Sequence, residues 1–92
     1  MSLEALASKY IASTEKVLKG MQRNKGTINV TEENVAKILG YVTDYLEDAK
    51  YYKAQKKFET SLTSVAYCEG LLDALRLMGV VKFEWPAKAE RK

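Results

Sequence analysis

Apolar residues return at alternating three- and four-residue steps in three separate runs of this 92-residue chain, and that spacing restricts it to a small all-helical fold. In the first run Leu3, Leu6, Tyr10, Thr14, Val17 and Met21 keep the rhythm, with Ala7, Ile11 and Leu18 widening the stripe. It predicts a helix from Ser2 to Arg23, stopped by Asn24, Lys25 and Gly26, residue types that tolerate a left-handed helix end. In the second run Val35, Ile38, Val42, Tyr45, Ala49 and Tyr52 repeat, with Leu39 and Leu46 on one shoulder. Thr31 suits the N-cap there, Glu32 and Glu33 suit the positive helix start, and Val30 with Val35 has the spacing of a hydrophobic staple. Phe58, Leu62, Val65, Cys68, Leu72 and Leu75 form the third stripe, ended by Gly79.

The boundary between the second and third runs has no Gly or Pro to mark it, so one helix from Thr31 to Met78 is the competing reading. We favour a break over Lys53 to Lys56, because a hairpin buries both stripes against each other. The expected architecture is an up-and-down three-helix bundle over residues 1–79, followed by an extension over 80–92. In that extension Val81, Phe83 and Trp85 alternate with Lys82 and Glu84, in strand-like fashion, before Pro86 and a frayed polar end. If the hairpin turns near Gln55, residues at one level have numbers summing to about 110, which sets Glu69 beside Tyr41 and Asp73 beside Lys37.

Composition narrows the chemistry. The chain has no His and one Cys, Cys68, so it cannot build a histidine-based hydrolase triad, a usual zinc site or an internal disulfide. No metal or other cofactor is called for, and the expectation is a protein that is not an enzyme. The longest apolar stretch, Leu71 to Val81, is broken by Asp73 and Arg76 and is too short to span a bilayer, and Met1 to Tyr10 lacks the layout of a secretory signal. A lone cysteine accords with a reducing compartment, so the expected location is cytoplasmic.

Three departures from pattern nominate a site. With Val65 at the centre of the third stripe, Glu69 and Arg76 lie about 40° and 20° away and point at the core, with Asp73 on the shoulder between them. The three suit an ion-pair ladder or a ligand site, and an acid/base role for Glu69 is the residual enzymatic reading. Lys50, Tyr51, Tyr52, Lys53, Lys56, Lys57 and Phe58 interleave cations with aromatics, as a nucleic-acid surface does and as an ordinary solvated turn also can. Tyr51 falls opposite the buried stripe, where a partner could reach it. Leu71, Leu72, Ala74, Leu75, Leu77 and Met78 nearly encircle the last turns of the third helix, so either the Val80–Trp85 segment or a second subunit has to cover them. The candidate partner or ligand surface is therefore Tyr51, Tyr52, Glu69, Asp73, Arg76, Leu77 and Met78.

Tyr45, Asp48, Ala49 and Tyr52, followed by Ala66-Tyr67-Cys68-Glu69-Gly70-Leu71-Leu72-Asp73-Ala74 and Gly79, resemble the archaeal family called domain of unknown function 357, over roughly Val30 to Gly79. Cys68 stands where that pattern has a smaller residue, and Lys53-Ala54-Gln55 replaces its Gly-Asp type of turn. The resemblance implies a three-helix bundle and an archaeal cytosolic source, singles out Tyr52, Glu69 and Asp73, and carries no established activity. Some relatives bear a nucleotidyltransferase-like domain alongside, which makes a nucleic-acid or nucleotide-linked accessory role the alternative. The leading expectation is a helical protein–protein interaction module, with a protein partner or self-association such as a dimer, and no membrane. A pair of tetratricopeptide-like repeats is the rival fold, but the chain shows no 34-residue period.

Overall fold

A computed structural model describes residues 2–86. It contains three helices, α1 (Leu3–Gly20), α2 (Glu32–Ala54) and α3 (Phe58–Leu77), and no strand among the described residues. The class is all-α, as the apolar spacing implies. The frayed end expected beyond Pro86 lies outside the described residues.

Local chemistry sets each boundary. The Ser2 hydroxyl accepts from the Ala5 amide at 3.1 Å and opens α1, and Thr31 accepts from Asn34 at 3.0 Å to open α2. Helix α1 stops at Gly20, three residues short of the expected end, because Gly is the weakest ordinary helix former and Met21 turns extended behind it. Gly26, in the expected stop, instead bends the linker with φ 86°.

The break between α2 and α3 falls within the expected stretch, and its geometry explains why neither Gly nor Pro announced it. Lys56 adopts φ 61°, while its amide and that of Lys57 donate to the Lys53 and Tyr52 carbonyls at 3.0 and 2.9 Å. This is a Schellman helix end with a lysine in the left-handed position. Helix α3 closes the same way around Gly79, φ 76°, with the Gly79 and Val80 amides on the Arg76 and Leu75 carbonyls.

The core lies between α2 and α3, which pack as an antiparallel hairpin. Val42 and Ala49 from α2 and Cys68 and Leu75 from α3 are buried, Leu75 at 1% exposure, while Val35, Ile38, Tyr52, Val65 and Leu72 border them half-buried. Ser61 Oγ donates to the Ala49 carbonyl at 2.7 Å and Cys68 Sγ to the Val42 carbonyl at 3.3 Å. Both pairs of numbers sum to 110, so the register is the expected one.

Helix α1 is held differently. None of its residues is buried, and Leu3, Tyr10, Ile11, Val17 and Leu18, with Met21 at the C-cap, each remain about 60% exposed. The radius of gyration is 16.0 Å, whereas a tightly packed chain of this length has about 12 Å.

The two Schellman ends give opposite predictions. A left-handed non-Gly residue costs about 1 kcal/mol, so Lys56→Gly should raise the melting temperature by a few degrees. Gly79→Ala should lower it by a similar amount in the same thermal melt followed by circular dichroism.

Candidate functional site

The sequence-nominated residues divide into two groups that the fold keeps apart. Tyr51 and Tyr52 sit at the end of α2, their rings edge-on at 5.4 Å, with Tyr51 60% exposed and Tyr52 half-buried. Among the described residues no cation lies over either ring. Lys50 reaches Glu47 at 3.4 Å, an exposed contact of little energetic weight.

Glu69, Asp73 and Arg76 lie on α3 near its far end, and the structure corrects their placement. No polar or charged residue is buried among the described residues. Glu69 and Asp73 are half-buried, and Arg76 is exposed. Cys68 and Leu75, rather than Val65, mark the centre of the buried face. Shifting the reference by about 70° carries Glu69 and Arg76 from the core onto its flank.

What occupies that flank is the C-terminal segment. Trp85 Nε1 donates to Asp73 Oδ1 at 2.7 Å, and the same oxygen accepts from Arg76 Nη2 at 3.4 Å. The Arg76 guanidinium also lies 5.8 Å from the centre of the Phe83 ring, which meets Trp85 edge-on at 5.0 Å. Val81, Phe83 and Trp85 are half-buried and Lys82 and Glu84 exposed, so the alternation is real without a strand partner. Asp73 is thus a latch for the tail. The tail does not cover everything it was expected to: Leu77 and Met78 stay 77% and 57% exposed on the other side of α3.

Cys68 is enclosed by the hairpin. Burial pushes its thiol above the ordinary value of 9.0, only partly opposed by a backbone hydrogen bond, and the charges of Asp48 and Glu69 add to the rise. A neutral thiol donating to the Val42 carbonyl is a structural group, since reactivity requires the thiolate. Among the described residues no three His, Cys, Asp or Glu side chains converge as a metal site would need. No helix there is long and apolar enough to cross a membrane.

The sequence did not reveal the seam between α1 and the hairpin. Leu3, Leu6, Ala7 and Tyr10 face Glu59, Thr60 and Thr63 of α3 across an open cleft of about 440 Å³. A second cleft, of about 300 Å³, lies between Tyr10 and the group Tyr45, Thr63, Ser64 and Tyr67, with Tyr45 and Tyr67 in edge contact at 4.6 Å. The small polar Thr60, Thr63 and Ser64 on α3 were the available signal, because beside Tyr45 and Tyr67 they offer α1 little apolar surface to pack on.

A family model described as "Protein of unknown function (DUF357)" matches residues 9–81, a span that takes in most of α1 as well as the hairpin. No curated protein and no solved structure matches the chain.

The tail latch predicts that Trp85→Phe, which keeps the ring and removes the donor, costs about 1 kcal/mol in urea unfolding. In the native chain Trp85 fluorescence should be less accessible to acrylamide than in the unfolded chain. For Cys68 the raised thiol means that the native state holds its proton more tightly than the unfolded one. Stability therefore falls as pH rises past about 9. Cys68→Ser, which lacks this titration, should lose less stability between pH 8 and 10 than the unchanged chain (both values bracket the thiol range).

Proposed function

The chain belongs to the DUF357 family of proteins of unknown function, and we propose that it acts as a non-catalytic helical module for protein–protein interaction in the cytoplasm of an archaeon. The observation that carries this reading is the uncovered apolar stripe of α1 together with its C-cap Met21, six large side chains each about 60% exposed. An isolated helix of 18 residues is marginal in water, and packing of its apolar face is the usual source of its stability. An apolar surface of that extent marks an interaction site. The neutral, enclosed Cys68 and the absence of histidine accord with a role that needs no nucleophile or general base. The reducing cytosol is supported by the unpaired thiol, and the archaeal source by the resemblance of the Glu69–Ala74 run.

A second reading has its own observation. Lys53, Lys56 and Lys57 gather at the hairpin turn beside the 60%-exposed Tyr51, the combination of cation and stacking ring that suits a single-stranded nucleic acid.

One pair of measurements separates the two. For an interaction module, Val17→Asp together with Leu18→Asp abolishes association with a protein partner, or with another copy in light scattering, while the helical circular dichroism of the hairpin persists. For the accessory reading, fluorescence titration with RNA shows binding that weakens steeply with salt and is lost in Lys53→Glu/Lys56→Glu. A chain that is monomeric and captures no protein sensitive to the α1 substitutions overturns the first reading. RNA binding absent at low salt overturns the second.

A further inference from the structure

Resting on the interaction-module reading, we propose that the partner is a second copy of this chain, with the α1 stripe of each copy packed on the hairpin flank of the other. The first ground is area. The accessible surface is 8280 Å², whereas a folded monomer of 10.4 kDa exposes about 5,400 Å². Even if half of the surplus of about 2,900 Å² belongs to the linker and tail, roughly 1,400 Å² per chain remains. That is the size each subunit contributes to an obligate homodimer, about 1,000 to 2,500 Å².

The second ground is that, besides Leu77 and Met78, each chain carries two broader uncovered apolar surfaces, and they lie on different sides. Ile11, Val17 and Leu18 of α1, with Met21 at its C-cap, lie beyond Tyr10, past the clefts that face the chain's own hairpin. The other surface is made by Leu39 and Leu46 of α2 with Phe58 and Leu62 of α3, exposed at 36%, 42%, 55% and 70%. Tyr45 and Tyr67 face α1, and at about 100° per residue Leu46 and Leu62 are turned about 100° and 140° away from them. They therefore occupy the opposite flank of the hairpin, whose remainder the Phe83–Trp85 tail already occupies.

Symmetry makes a second copy the economical occupant. In a two-fold pair the α1 half of each chain is donated to the flank of the other and its own flank receives in return, so one symmetry operation pairs both surfaces and leaves no free end. Nothing in the patch opposes this: Glu47 and Lys50, beside Leu46, already form a neutral pair.

Analytical ultracentrifugation of the full chain at micromolar concentration should give twice the 10.4 kDa chain mass. Leu46→Glu/Leu62→Lys on the flank and Val17→Asp/Leu18→Asp on α1 should each weaken the dimer at least tenfold. All four side chains are exposed in the single chain, so helical circular dichroism should be retained. Mixing Leu18→Cys chains with Leu62→Cys chains under mild oxidation should give a mixed disulfide dimer in preference to either homodimer, while Cys68 stays enclosed.

A monomer at 100 µM (roughly a hundredfold above a micromolar Kd) overturns the proposal, as does a dimer that both pairs of substitutions leave intact. A monomer that nonetheless binds another protein through Val17 and Leu18 defeats the second-copy inference and leaves the interaction module standing. A monomer that binds none defeats both.

Discussion

The pairing of α2 with α3 in one antiparallel register is the constraint from which the other features follow. It rests on a small sealed seam: Leu75 and Cys68 against Val42 and Ala49, with two side-chain donors, Ser61 Oγ and Cys68 Sγ, bonded to carbonyls of the opposite helix. Each donor reaches a carbonyl that α2's own ladder already uses, so the cross-links add a direction to packing that is otherwise non-directional. A slip of one residue would break both and would rotate the apolar stripe away by about 100°. Because the seam buries Cys68, its thiol holds its proton more tightly than a free thiol would, and the chain's one cysteine serves the architecture.

Once the hairpin is set, its two flanks take different roles. One flank receives the chain's own C-terminal segment, fastened where Asp73 accepts from Trp85 and from Arg76 while the guanidinium lies near Phe83. Asp73, one of the two acids nominated from the sequence, is accordingly the anchorage of a strap. The opposite flank carries Thr60, Thr63 and Ser64, and α1 faces it across clefts that no side chain fills. Small residues there remove the apolar contact that would draw α1 in, which leaves α1's stripe available. The interaction reading and the two-fold arrangement both come from this difference between a flank that is strapped and a helix that is not packed.

Much of the fold was legible from apolar spacing. Thr31 as a cap, the α2 stripe, the turn after Ala54 and the register near 110 all depend on neighbours within a few residues, or on one arithmetic relation between two stripes. The site was less legible, for a reason visible in Val65. An amphipathic pattern defines a buried face only to within about half a turn's width, and an error of about 70° was enough to place Glu69 and Arg76 in a core they only border. Lys56 escaped for another reason: a left-handed lysine is locally unfavourable and is imposed by the packing of the two helices it joins.

By itself, then, the sequence determined the helices, their caps, the hairpin register and the lack of histidine chemistry, because these are properties of short-range spacing and residue type. Only the tertiary structure decided that the tail fastens to Asp73, that Leu77 and Met78 stay exposed, and that α1 keeps its apolar stripe in solvent. Periodicity says that a helix has a face to bury. Whether that face is met within the chain depends on the shape and size of the surface opposite, and here the small side chains of α3 do not meet it.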